Sequence, residues 1–237
     1  MISSETRENI IIKTEQAQEY ATRALELCGK YVLSQDKKQL KKMGGYLGDI
    51  VNNIRSALNY AFKDYCEQRG FPKKKDGKTI STDFPYAFTK DNFENIKVIS
   101  LISRFDPNLY NYLEEIQPYH PKQGFLGNIM KISNTDKHKV LVTVQNFDIN
   151  FFDFVDSKIF KPVHFGSQVL VGHSDGKAIF HKTPFYHSQF RMYALPNGKW
   201  LNFMIPIDDH FLEFIPYISN VVGSAVKVLN KFQRSWK

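Results

Sequence analysis

Residues 46–65, YLGDIVNNIRSALNYAFKDY, carry the clearest hydrophobic pattern in the chain. Leu47, Ile50, Val51, Ile54, Leu58, Ala61, Phe62 and Tyr65 recur at three-and-four spacing, which predicts one amphipathic helix. Beside that stripe Asn52, Arg55 and Asn59 stand at i, i+3 and i+7, so their side chains share one line. A face that meets only water is usually filled with Glu, Lys or Gln. Asn is a poor helix former because its side chain competes for backbone hydrogen bonds. Two Asn flanking an Arg point to a polar role, either a buried network between helices or a phosphate site.

Residues 5–34 repeat the helical period and predict a helix ending near Ser34–Asp36. Gly44, Gly45 and Gly48 weaken the first turns of the following helix and predict a start later than Lys38, whereas Gly70 and Pro72 close it. Residues 70–90 read as a loop. Asp91 is a candidate cap for a short helix through Ile102, and Asp106–Pro107 for another through Ile116. QPYHP, residues 117–121, predicts an extended turn before a helix from Gly124 with Leu126, Ile129, Met130 and Ser133 on one side.

The period then changes. Residues 139–145 (KVLVTVQ) and 149–155 read as strands, 167–172 and 177–181 as a hairpin about Ser174–Asp175–Gly176, and 200–205 as a strand closed by Pro206. From Asp209 the helical pattern returns, with Pro216 marking a kink or the first turn. The predicted class is α+β. A helical bundle in residues 1–138 precedes a small antiparallel β section in 139–237, whose C-terminal helix packs back, as two regions or one continuous domain.

Composition changes this picture little. Aromatic residues make up 14% of the 237, which argues for a packed core. Cys28 and Cys66 lack metal-type or redox spacing and read as reduced, buried thiols. No apolar run reaches the ~20 residues of a membrane span, and MISSETRENIIIK is too charged for a signal peptide, so a cytoplasmic protein is expected. The net charge of +8 is spread evenly: residues 1–138 carry 21 Lys+Arg against 17 Asp+Glu, and residues 139–237 carry 11 against 7. Lys73, Lys74, Lys75 and Lys78 form a basic run that either tracks a phosphate backbone or is simply solvated.

Asn134-Thr135-Asp136-Lys137-His138 is the second constellation. If the helix from Gly124 runs through it, Asn134 and His138 are i, i+4 neighbours. If it turns into the strand, Asn134 and Asp136 are turn residues. Either way His138 offers an imidazole for proton transfer, or else a hydrogen-bonded structural residue. The other histidines show no ligand spacing, and no P-loop, GxSxG or GxGxxG occurs, so neither a metal nor a cofactor is expected.

LGDIVNNIRSALNYAF, QPYHP and NTDKHKVL, in that order over roughly residues 46–145, resemble an uncharacterised bacterial family that reads approximately LG(D/E)xVHNLRSALDHLA, QPY and NxDKHR. That family's Arg, four residues, His spacing is in turn similar to the signature of HEPN domains, helical bundles that are often dimeric, metal-independent ribonucleases in toxin and anti-phage systems. The resemblance puts Arg55 and Tyr60 at the signature positions. Taken with the Asn/Arg line, the second constellation and the basic run, the candidate site is Arg55, Asn59, Tyr60 and His138, with Asn52, Lys73, Lys74, Lys75, Lys78 and Lys137 as candidate nucleic-acid contacts. It also implies RNA, a second copy of the chain, and an antitoxin or defence partner as candidate partners. The chain departs from the pattern, since Tyr60 stands where the signature has His and Asn52 where the family has His. A tyrosine with a pKa near ~10 is a poor base at neutral pH. Two other functions fit the same residues: a non-catalytic module for a nucleotide, nucleic acid or peptide, and an interaction protein with a buried Asn/Arg network.

Overall fold

The computed structural model describes residues 2–71, 74–75, 78–120, 124–138, 144–150, 185–187, 192–194, 199–207 and 210–235. Its class is α+β. In chain order the elements are helices α1 (Ser4–Ser34) and α2 (Lys37–Gln68), then the short strands β1 (Lys74–Lys75) and β2 (Lys78–Thr79). Helices α3 (Lys90–Glu94), α4 (Lys97–Phe105), α5 (Pro107–Glu115) and α6 (Gly124–His138) follow. The β section comprises β3 (Gln145–Asn150), β4 (Phe185–His187), β5 (Met192–Ala194), β6 (Lys199–Ile207) and β7 (His210–Glu213). Helix α7 (Phe214–Arg234) ends the chain. The chain divides into two compact units: residues 1–24, 45–142 and 218–237 form one, and residues 25–44 and 143–217 the other.

In the helical unit the apolar stripe of α2 is buried along its whole length, from Leu47 to Tyr65. Its rings meet those of α7 and the loop after β2: Phe232 lies 6.1 Å from Phe62, 6.1 Å from Tyr65 and 5.7 Å from Phe84, centroid to centroid. The Tyr112 hydroxyl donates to the Val228 carbonyl at 2.9 Å, which ties α5 to α7. Asp106 caps α5 by accepting from the Leu109 amide at 3.1 Å, and its other oxygen accepts from the Tyr65 hydroxyl at 3.3 Å. Burial, and then the nearby Asp106 charge, push the Tyr65 phenol above its ordinary pKa.

In the other unit, β3, β6, β5 and β4 adjoin in that order, with β7 also paired to β6 and every described pairing antiparallel. Leu201, Phe203, Ile205 and Ile207 alternate into the interior, and Phe203 meets the edge of Tyr31 at 5.6 Å. Cys28 donates to the Met43 sulfur at 3.4 Å. Both cysteines are buried and unbridged, and burial pushes the Cys66 thiol up to about 12.

Several boundaries differ from the sequence reading, each for a local reason. Helix α2 starts at Lys37 despite its glycines, because Asp36 accepts from the Lys38 amide at 2.9 Å. Thr89, not Asp91, caps α3 by accepting from the Asn92 amide at 3.2 Å, and the helix stops at Glu94 before α4 begins. The turn after α5 is closed rather than extended, since the His120 amide donates to the Gln117 carbonyl at 3.1 Å. Strand β3 takes in the described ends of the two expected strands, 145 and 149–150, and the residues between them, whereas 139–143 and 151–155 lie outside the described residues. Strand β6 runs past Pro206 to Ile207 because β7 pairs with it there, Pro206 opposite Phe211 and Ile207 opposite His210. Residues 210–213 pair with β6 instead of opening the last helix, so Pro216 falls in the first turn of α7. The hairpin expected around 174–176 lies outside the described residues.

Phe232 is fully buried among aromatic rings contributed by α2 and the loop. Phe232→Ala is expected to cost about 3–5 kcal/mol in urea denaturation. A cost below about 1 kcal/mol would mean that α7 is not docked there in solution.

Candidate functional site

Helices α2 and α6 meet through side chains that the helical period alone would send into an apolar seam. Ser133 occupies a core-facing position of α6 and is fully buried. Its hydroxyl donates to Asn52 Oδ1 at 2.7 Å and accepts from Arg55 Nη1 at 3.2 Å. Arg55 Nη1 also donates to Asn134 Oδ1 at 2.8 Å. The Asn134 amide nitrogen passes the chain on, donating to the Tyr86 hydroxyl at 3.2 Å. Helix α6 runs through to His138, so of the two readings of this segment the helical one holds.

Arg55, Asn52, Asn134 and Tyr86 are each half-buried. Every hydrogen-bond partner described for the Arg55 guanidinium is neutral, and among the described residues no carboxylate pairs with it. Burying a cation without a counter-charge is costly. Ser133 and Asn134 orient the planar fork, and neither carries a charge that would neutralise it.

Asn59 has a different task. Its Oδ1 accepts from the Phe84 amide at 2.9 Å, and its Nδ2 donates to Asp83 Oδ1 at 3.3 Å, which fixes the start of the loop. Gln117, fully buried in the turn after α5, fixes the rest. Its Oε1 accepts from the Ala87 amide at 2.8 Å, and its Nε2 donates to the Pro85 and Leu113 carbonyls at 3.3 and 2.7 Å. Tyr86 is therefore held from both sides of its own backbone.

Tyr60 is solvent-exposed at 38%. Five residues along a helix is a rotation of about 140°, so Tyr60 and Arg55 leave α2 in different directions. His138 is the last residue of α6, one turn beyond Asn134. The side chains of Lys137 and His138 lie outside the described residues. So do Lys73 and the side chains of Lys74, Lys75 and Lys78, whose backbones form an antiparallel pair with Lys75 opposite Lys78. The structure thus joins Asn52 and Arg55 to Asn134, and assigns Asn59 to the loop.

Sequence reasoning missed Ser133 as a polar participant, missed Tyr86 altogether, and singled out Gln117 only within the QPYHP turn. A serine in the apolar stripe of α6 was the available signal. Tyr86 gave none, and QPYHP did not disclose the role of Gln117, because Tyr86 meets Asn134 and Gln117 meets Ala87 far along the chain. Among the described residues, no helix is long and apolar enough to cross a membrane, and no cluster of three or more His, Cys, Asp or Glu could hold a metal ion. No family model, curated protein or solved structure matches the chain.

Ser133→Ala would remove the hydroxyl that donates to Asn52 and one acceptor of Arg55. It is expected to destabilise the protein by about 1–3 kcal/mol in urea denaturation, whereas exposed Tyr60→Ala should stay within about 0.5 kcal/mol of the parent. Equal effects of the two would argue against the seam.

Proposed function

We propose that the helical unit is an RNA-directed, HEPN-like module in which Arg55 holds a backbone phosphate. One observation carries this reading: a half-buried guanidinium is oriented by neutral acceptors and, among the described residues, lacks a carboxylate partner. A purely structural arginine is usually paired with an acid, because the unpaired charge costs too much. A phosphate arriving at the fork would supply the missing charge through two parallel hydrogen bonds. The net charge of +8 favours the approach of a polyanion.

Binding is better supported than cleavage. Tyr60, at the position of the signature histidine, points away from the Arg55 side of α2. A ribonuclease effector of a toxin or defence system would then draw its base from His138 or from a second copy of the chain. The fully buried Ser133 favours a competing reading, in which the seam only joins two helices.

Arg55→Lys keeps the charge but loses the fork, and Arg55→Gln loses both. Both variants should fold and bind single-stranded RNA more weakly. For Arg55→Gln, the slope of log affinity against log salt should shrink by about 0.7 for each phosphate that the variant no longer neutralises. RNA affinity unchanged in both variants, accompanied by a fall in stability, would return the site to architecture. RNA cleavage by the parent that disappears in His138→Ala would extend the reading to catalysis.

A further inference from the structure

Beyond Tyr86 the same loop presents Phe88, a large apolar ring 46% exposed to solvent. Pro85 and Ala87 are buried, whereas Tyr86 is half-buried and Phe88 exposed, so the two rings emerge at alternate positions on the outer side. Their centroids lie 5.9 Å apart with planes at 88°, and Tyr86 braces the edge of Phe88. The backbone beneath them is held by Gln117 and Asn59. The turn is also pressed against α6, where a Cβ on Gly127 would come within 3.1 Å of Pro118 and 3.7 Å of the Phe88 ring. Phe88 is therefore an exposed ring on a fixed backbone.

One cation lies against the ring. The Lys131 ammonium lies 5.2 Å from the centre of the Phe88 ring. Lys131 is three residues before Asn134 on α6, so both stand on one face of that helix. A hydrogen-bonded path links the ring edge to the guanidinium through the Tyr86 hydroxyl, Asn134 and Arg55. Asp83, held by Asn59, is the carboxylate at the start of this loop.

We infer that Phe88, braced by Tyr86, is a stacking platform for an unpaired nucleobase, with Lys131 and Arg55 holding phosphates of the same strand. The inference rests on the phosphate reading of Arg55 and adds a surface that takes the base. An aromatic ring on a held backbone with a cation beside it is the combination that binds single strands with little sequence preference, because every base has a face to stack. Bases of an A-form duplex are already stacked on each other and cannot reach Phe88.

Three probes separate the contributions by fluorescence anisotropy on the full chain at one salt concentration: a short oligoadenylate, an abasic ribose-phosphate oligomer of equal length, and a blunt RNA duplex. The parent should prefer the oligoadenylate to the abasic oligomer by roughly five- to a hundredfold for one stacked base. Phe88→Ala should abolish that preference, Phe88→Trp should keep it, and the melting temperature should hold in both because the ring is exposed. Arg55→Gln should weaken both single-stranded probes alike. A preference that survives Phe88→Ala, or a duplex bound as tightly as the single strand, overturns the platform. If Arg55→Gln still weakens both probes in that case, the phosphate reading stands without it. If Arg55→Gln weakens neither, the phosphate reading itself fails, and the platform falls with it.

Discussion

A guanidinium cannot leave water without compensation, and the candidate site of the helical unit is organised around that constraint at Arg55. The compensation found among the described residues is polar but uncharged: a serine hydroxyl at 3.2 Å and an asparagine carbonyl at 2.8 Å. Such partners fix direction without cancelling charge. Ser133 can serve only because α6 lies close enough to α2 to place a hydroxyl between Asn52 and Arg55. That approach depends on the buried stripe of α2 and on the absence of a side chain at Gly127, where α6 passes the turn after α5. Packing sets the distance, and the polar seam sets the register.

The same logic extends to the loop after β2. A loop of this length would ordinarily be loosely held. Here two amides from other elements, Asn59 on α2 and Gln117 in the turn, take up the backbone groups of Phe84, Pro85 and Ala87. Gln117 is fully buried and satisfies groups that water does not reach. The loop is thus fixed enough to present Tyr86 to Asn134 and Phe88 to solvent. Neither cysteine offers an alternative nucleophile, since both are buried and burial raises their thiol pKa values.

Much of the helical unit was legible because it is written in local patterns. The α2 stripe follows the helical period, and Asp106–Pro107 announces α5 through a cap and a pre-set first turn. Local rules failed where distant partners decide. The α2 glycines weaken a helix in isolation, yet Asp36 and tertiary packing carry it from Lys37. Residues 210–213 have a helical pattern but belong to a strand because β6 offers them a ladder. Within the site, the Asn/Arg line and Asn134 could be singled out from the sequence, whereas the division of labour could not. Asn59 reads like Asn52 along the chain, and only the loop at Phe84 distinguishes them. Tyr86 and Gln117 acquire their roles from partners about thirty or more residues away.

The central claim is that the Arg55 guanidinium is fixed by neutral partners and still free to take an anion. The most direct test follows the guanidinium N–H resonances of Arg55 by NMR while a short oligoadenylate is added. The account predicts saturable shifts and slowed rotation of the Arg55 fork, with the Ser133 and Asn134 amides shifting along the same binding curve. A binding curve that saturates with the Arg55 resonances unmoved would contradict it.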